Sequence, residues 1–447
     1  MMQIKRLVYA VASVCALASA SHASAQAFTA DARVVGMGGS PKANIATPMV
    51  APSTPYAVIP APLGLFQILD NLDRFNPSSD QFDPARAIES ASNPLHYTFG
   101  RNSGTSDNAQ ARFMRDLVNV ELNRDLRTYQ GFHIPGEITG EGLAAPAYGG
   151  TIKVRKGSDG SFQGIFIGAG PYLSYATTAT FDPRLTDILD NGTRYPNTAL
   201  QVQNHTEVQL ALSIVGGYRA RFALPNASRE RDGVYVAVNY RYLRGFEYLK
   251  PDTNVRFDMD NQALLTVNPA TTPIDIASIE GKQGIGRAVD LGVQVARGRW
   301  EFGVGVNGIG NQIEWTDLSL KRFTVQNLLT GGDFVETDGP APFDSLVVEL
   351  PVVTSGNVGY DDGTNALRAS VTRGFNGNSF NGGGERWLGV LAVRAGARYS
   401  RGFWDPAVGV GIGRRVGVDV GFYGTHANLQ EKQQYSMAVS VRIGRGR

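Results

Sequence analysis

"VQLALSIVGGYRARF", residues 208–222, separates into two sets when every second residue is taken. One set is Val208, Leu210, Leu212, Ile214, Gly216, Tyr218, Ala220 and Phe222. The other is Gln209, Ala211, Ser213, Val215, Gly217, Arg219 and Arg221, with Glu207 just before it. Successive side chains of a strand point to opposite faces, so this period of two is a strand pattern. The run is also long, since strands in globular proteins usually have about 5–6 residues. One face is oily throughout, and the fold turns on the solvent that this face meets.

The same period runs from about residue 113 to the C-terminus. "DLVNVELNRDLRTY" sets Val118, Val120 and Leu122 against Asn119, Glu121 and Asn123. "GGTIKVRKGSDGSFQGIFIGAGPYLSY" is a hairpin turning at "GSDG", and a second hairpin turns around Arg297–Arg299. "DGVYVAVNYRYLRG" sets Val234, Val236, Val238, Tyr240 and Tyr242 against Asn239 and Arg241. The final runs alternate too, with Gly409, Gly411, Gly413, Gly417 and Gly421 filling the second face of two of them. Such runs number about 12–14, within the range of membrane barrels. Residues 182–204, 251–273, 323–345 and 374–386 read as longer polar loops.

A soluble β-sandwich also hides one face of each strand and is the competing architecture. Three features favour lipid. An apolar band ~25 Å tall, crossed obliquely, takes about ten residues, and these runs have that length. Aromatics fall at strand ends (Tyr218, Phe222, Tyr240, Tyr242, Trp300, Tyr399, Phe422, Tyr435), as an interfacial girdle requires. Alternately short turns and long loops suit periplasmic and extracellular ends. The expected fold class is therefore all-β: a transmembrane antiparallel β-barrel of about 12–14 strands with an N-terminal, partly helical, plug-like segment.

The chain has 447 residues and one cysteine, Cys15. Lys5 and Arg6 precede an apolar run to about Ala20 and then Ala23-Ser24-Ala25, the pattern of a secretory signal cleaved near Ala25. Cleavage there removes the cysteine, so neither a disulfide framework nor thiol chemistry is expected. It also takes two bases from 42 and none of the 40 acids, and the balanced remainder leaves no electrostatic footprint for nucleic acid. The expected organisation is a signal at 1–25, a plug or hatch-like segment at 26–112 and a barrel at 113–447. Within the second part, "LGLFQILDNLDRF" and "FDPARAIESASNPL" are the plausible helices.

Two stretches resemble the FadL-like outer-membrane barrels and their PorV-like and TraF-like relatives. "DARVVGMGGS" (31–40) looks like the family's opening Ala-Arg-x-x-Gly-Met-Gly-Gly, and "AVDLGVQVARGRWEFGVGVNGIGNQI" (288–313) is similar to its late hairpin. The resemblance implies that the N-terminal segment plugs the lumen. Gly36, Gly38 and Gly39 would then fold against the inner wall, with Met37 as a packing residue. Glycine tolerates positive φ and close backbone approach, which gives that reading a physical basis. On it, the arginines at 219, 221, 241 and 394 are expected to pair with Asp31, Asp70, Asp73 and Glu89 of the plug.

Few motifs carry chemistry. "GVGVNG" (303–308) matches the dinucleotide glycine pattern but lies inside an alternating strand, so no cofactor is expected. His96, His133, His205 and His426 are scattered, no Gly-x-Ser-x-Gly elbow occurs, and neither metal nor catalytic residues are expected. The inward face offers lumen-lining candidates: Glu207, Gln209, Arg219, Arg221, Asn239, Arg241, Asp290, Gln294, Glu301, Asn307, Arg394, Arg398 and Asp419. Charge is expected to be tolerated better at Ser213 and Ala237, on this face, than at Leu212 or Val236. The expectation is a non-enzymatic bacterial outer-membrane barrel in contact with lipid, passing a hydrophobic or small amphipathic solute. Two alternatives stay open: a non-transporting barrel serving a secretion or conjugation apparatus, and a soluble exported β-protein binding a carbohydrate or a protein.

Overall fold

The computed structural model describes residues 31–39, 45–50, 56–69, 96–99, 112–113, 116, 122–131, 136–145, 147–225, 231–266, 274–326, 333–374, 377–400, 402–426 and 433–444. The signal-like segment at 1–25, residues 70–95 and Val118 and Val120 lie outside them. Among the described residues eighteen strands form one sheet, antiparallel at every register found. Several lie end to end. β1 (Tyr56–Pro60) and β2 (Tyr97–Phe99) follow one another along β18 (Gln433–Gly444). β3 (Glu137–Ala144) and β4 (Tyr148–Lys156) share one side of β5 (Phe162–Phe181). β10 (Asp333–Pro340), β11 (Leu346–Glu349) and β12 (Val353–Asp361) run along one side of β9 (Trp300–Gln326). Single positions are filled by β6 (Ala199–Ala223), β7 (Gly233–Asp258), β8 (Ile274–Arg297), β13 (Asn365–Gly374), β14 (Gly377–Leu388), β15 (Leu391–Ser400), β16 (Phe403–Ile412) and β17 (Val416–His426). The described strands thus occupy fourteen positions, counting each end-to-end set once. β1 and β2 come from within 26–112, so those two pieces of the expected plug segment belong to the wall.

Burial answers the question posed by residues 208–222. On β6, Leu210, Leu212, Ile214, Tyr218 and Phe222 are exposed, whereas Gln209, Ser213, Arg219 and Arg221 are buried. On β16, Trp404, Val408, Val410 and Ile412 are exposed and Asp405 is buried. A water-soluble protein hides its apolar side chains; here the apolar face is outside and the polar face inside, which is the arrangement of a sheet solvated by lipid. All but one of the eight strand-end aromatics named above are exposed, and Tyr399 is half-buried.

The wall has two heights. β12 to β18 have 9–12 residues each, close to one membrane crossing. β6 to β9 have 24–27, more than twice that. Beyond the apolar band the alternation changes sign: Gln201, Gln203, His205, Asn254 and Arg256 are exposed, whereas Leu200, Val202, Val255 and Phe257 are buried. The phase slips on β6 between Thr206 and Gln209, both buried, and the neighbouring β7 bulges at Phe246, opposite Leu210–Ala211. The upper half-wall is therefore built like a water-soluble protein. Its core joins Leu200, Val202 and Phe257 to Phe113, Leu126 and Tyr129 and to a helix at Pro183–Asn191.

That helix revises the expected polar loop at 182–204. With α1 (Ala32–Gly36) and α2 (Leu63–Leu69), it is α3. Asp182 accepts from the Arg184 backbone N–H at 2.9 Å, proline fills the first turn, and Gly192 closes the end in the left-handed region. Leu185, Ile188 and Leu189, at helical spacing, face the core. The expected loops at 251–273, 323–345 and 374–386 are likewise partly strand: β7 runs to Asp258, β9 to Gln326, and β14 starts at Gly377. Leu126–Tyr129, expected within a strand, is a 3-10 turn capped by Asp125.

The sheet is rolled. Tyr172 of β5 donates to Asn311 Oδ1 of β9 at 3.0 Å, although four strand spacings would separate them by ~19 Å on a flat sheet. Val50 packs on Tyr235 and Ala296 of β7 and β8, yet Tyr56 pairs with Gly444 at the far edge. Six residues reach at most ~21 Å, about half the flat distance, so that edge curls back toward β7 and β8. Among the described residues no register joins the two edges to each other.

Ile214→Arg places a charge in the apolar band and should cost about 2–4 kcal/mol near the bilayer midplane, whereas Gln203→Arg, above the band, should stay within about 0.5 kcal/mol. Urea unfolding from vesicles, followed by heat-modifiable gel migration, measures both; equal costs would refute the band assignment. Ser213 and Ala237 are poor sites for the milder charge expected from sequence, because each is fully buried.

Asp182→Ala should loosen α3 by about 1 kcal/mol, read as roughly five-fold faster amide exchange over Pro183–Asn191. Arg184 bonding to Asp182 holds its carboxyl below the usual range. This stabilisation is accordingly present at neutral pH and lost as the pH falls below about 4. Exchange rates unchanged by the substitution would remove the cap from the account.

Candidate functional site

The N-terminal segment lies on the buried polar face of β15 to β18. Asp31 accepts from the Arg33 N–H at 3.0 Å and starts α1. The helix ends at "GMGG", where Gly38 has φ +68° and donates to Val35 O at 2.9 Å. A Cβ on Gly38 would lie 2.6 Å from Ala397 N. The wall is bare where the segment touches it. A Cβ on Gly383 or Gly396 would lie 2.1 or 2.2 Å from Met37 O, and one on Gly421 would lie 2.5 Å from Ala32 O. Gly36 and Gly409 approach similarly, with a Cβ on Gly36 at 2.9 Å from Gly409 Cα. Four wall glycines on four neighbouring strands thus make a track for the segment's backbone.

Charge fixes the segment sideways. Arg33 donates through Nη2 to Glu385 Oε1 at 2.6 Å and through Nε to Oε2 at 2.9 Å, a two-pronged contact. Arg394 donates to Glu385 Oε2 and to Asp419 Oδ1, each at 2.7 Å. Arg442 reaches Asp419 Oδ2 at 3.0 Å, and the Trp387 indole N–H reaches Glu385 Oε1 at 2.9 Å. The side chains of Glu385, Arg394 and Asp419 are at most 1% exposed. Removing one member of such a buried set typically costs about 3–5 kcal/mol, because its partner is stranded.

A second polar group sits across the rolled sheet. Arg241 Nε donates to Asp290 Oδ2 at 2.6 Å, and the Gly308 N–H donates to Asp290 Oδ1 at 3.0 Å. "GVGVNG" is therefore part of β9, and it runs into a bulged stretch where Gly308 and Gly310 have φ of +78° and +62°. Arg219 donates to Tyr218 O at 3.0 Å and stacks over Phe166. Arg221 donates to the carbonyls of Gly160 and Asp232. Asn239 is beside Asp290, Gln209 accepts from Trp315, and Glu207 accepts from Tyr248. Gln294 accepts from Thr47 at 3.3 Å, and Arg398 donates to Asp405 at 3.1 Å. Glu301 and Asn307 are half-buried on the same strand.

The thirteen candidates named from sequence all fall on the buried or half-buried side, in these separate groups. The expected pairing of wall arginines with plug carboxylates is corrected. Arg241 and Arg394 pair with wall carboxylates, Asp31 caps its own helix, and the segment contributes a cation to a wall anion. Asp70, Asp73 and Glu89 lie outside the described residues. Glu385, Arg442 and Arg33 were not singled out; Glu385 stands in a Gly- and Asn-rich stretch that reads as loop, and its signal is the alternation Arg386–Leu388 against Glu385–Trp387.

Between segment and wall is a small pocket lined by Val35, Gly38, Arg398, Asp405, Ala407 and Tyr423. The Tyr423 hydroxyl is 2.7 Å from His96 Nδ1, whose ring is buried edge-on against it. His205 meets Asp252 on the exposed upper wall, and nothing in the described residues brings the two histidines together. The pocket sets the apolar groups of Val35, Ala407 and Tyr423 beside the Arg398–Asp405 ion pair.

No family model matches the chain, and no curated relative does. Three solved structures show the range of its likenesses. One is the Ralstonia pickettii toluene transporter TbuX: 9% identity, 74% of this chain and 93% of that one, TM-score 0.33. Another is the TodX deltaS2S3 mutant, a monoaromatic hydrocarbon channel: 11% identity, 73% and 93%, TM-score 0.32. A mutant Rh. blastica porin follows at 9% identity, 69% and 100%, TM-score 0.25.

Gly38→Val combines an unfavourable positive φ with a collision into the wall backbone. It should unseat the segment in the assembled barrel, raising trypsin cleavage at Arg33 by about ten-fold or more. Cleavage at the native rate would show that the seat does not depend on Gly38.

Proposed function

We propose that this chain is an outer-membrane channel or transporter whose passage is occupied by its own N-terminal segment, and that it passes small amphipathic or hydrophobic solutes without chemistry. The observation that carries the reading is the seating of Asp31–Gly39 on the polar face by the glycine track and the Arg33–Glu385 contact, next to the pocket at Tyr423. The contact is the natural release point. Without Arg33, Glu385 keeps Arg394 and Trp387, so the wall stays satisfied while the segment loses its charged anchor.

Arg33→Gln should leave the barrel assembled and raise liposome swelling with graded solutes by several-fold, with a matching rise in planar-bilayer conductance. A barrel that assembles and stays as tight as the parent would overturn the gated-passage reading. A second reading, a non-transporting barrel serving a secretion or conjugation apparatus, draws support from the apolar filling around Trp315 and Tyr248. It expects no flux in either protein.

A further inference from the structure

The short-turn end of the sheet carries a run of exposed cations. Short turns at 157–161, 298–299, 389–390 and 413–415 gather at one end, and exposed basic residues stand in or beside three of them. Arg155 and Lys156 close β4, Arg297 and Arg299 flank the β8–β9 turn, and Arg414 and Arg415 make the β16–β17 turn. Among the described residues none of the six forms an ion pair. Among the described residues, four carboxylates at this end accept from backbone N–H groups of the turns, Asp232 among them from Gly298 at 2.8 Å. Asp159 accepts from the Ser161 N–H, Asp361 from Gly363, and Asp362 from Thr364 and Asn365.

Each basic group stands at the edge of the apolar band: Arg155 follows exposed Ile152 and Val154, Arg299 precedes exposed Trp300, and Arg414 and Arg415 lie between exposed Ile412 and Val416. Arg299 donates to the Tyr360 hydroxyl at 3.2 Å, and Tyr360 packs edge-on against exposed Trp300. Apolar side chains followed by cationic groups just beyond them form the sequence of layers that a phosphate-bearing lipid presents, from acyl chain to anion.

We propose that these three turns form a cationic collar that binds anionic phospholipid headgroups in the leaflet at the short-turn end, the periplasmic side of an outer membrane. The proposal rests on the membrane-spanning reading above. The collar is continuous with the lipid-facing band, and its sites are spread around the wall, which suits many single lipids better than one macromolecular partner.

The test uses the full chain in zwitterionic vesicles holding a minority of phosphatidylglycerol, with brominated acyl chains carried by one lipid or the other. In a Trp404→Phe background, which removes the exposed indole at the other end of the apolar face, tryptophan quenching reports which lipid lies against Trp300. Quenching per brominated lipid should be about two-fold stronger for phosphatidylglycerol, and the excess should vanish at high salt. It should also vanish in the variant with Arg297→Gln, Arg299→Gln, Arg414→Gln and Arg415→Gln, whose exposed substitutions leave the wall's buried ion network untouched. Equal quenching by both lipids in the parent, or an excess indifferent to salt, would overturn the collar while leaving the membrane reading intact. Absence of quenching by either lipid would overturn both.

Discussion

A guanidinium on the inner face of a lipid-solvated sheet has no bulk water to fall back on, and it must be met by acceptors that the fold itself supplies. Arg394 states the constraint most plainly. It is buried between Glu385 and Asp419, on the strand that joins β14 to β16, and each of those carboxylates holds a second arginine. Glu385 takes Arg33 and Asp419 takes Arg442, so three cations share two anions in one chain of contacts. The register of β14 to β18 is consequently pinned from inside. A slip of one residue on any of these strands would send its charges into lipid and its valines into the polar interior.

The same constraint explains why the wall has two heights. Where strands stop at the edge of the apolar band, as β12 to β18 do, the inner face is polar along most of its length and is closed by ion pairs and by the N-terminal segment. Where they continue into water, as β6 to β9 do, the outer face becomes polar and the inner face takes up an apolar core. One strand therefore carries two opposite patterns joined at a slip in phase. The bulges at Gly308 and Gly310 and near Phe246 are where the chain absorbs the change, because a bulge adds the odd residue that a phase shift needs.

Much of this was legible in the sequence. The period of two, the oily set at Leu210–Phe222 and the run length of about ten residues point to a barrel without any structure in hand. What misled was the sign of the pattern. Gln201, Gln203 and His205 against Leu200 and Val202 alternate as well as residues 208–222 do, but with the apolar set on the other face. A reading that follows one oily face therefore ends the strand there and writes a loop. The helix at Pro183–Asn191 was hidden inside that supposed loop, although Asp182-Pro183 at its start and Gly192 at its end are ordinary punctuation. Pairing partners were not legible at all, because Arg394 meets Glu385 only through a cross-strand register that one strand's pattern leaves open.

The N-terminal segment depends on the wall more than the wall depends on it. Its seat is a track of glycines on which backbone lies against backbone, with Ala32, Val35 and Met37 buried beside it. Its lateral anchor is one guanidinium on a carboxylate that the wall already satisfies through Arg394 and the Trp387 indole. Lifting the segment exposes glycines and returns Arg33 toward water, but strands no unpaired anion in the sheet. The wall network would lose far more if Arg394 or Asp419 moved, since each bridges two partners. Rigidity therefore resides in the strands and freedom in the segment laid over them, the division of labour that a displaceable element requires.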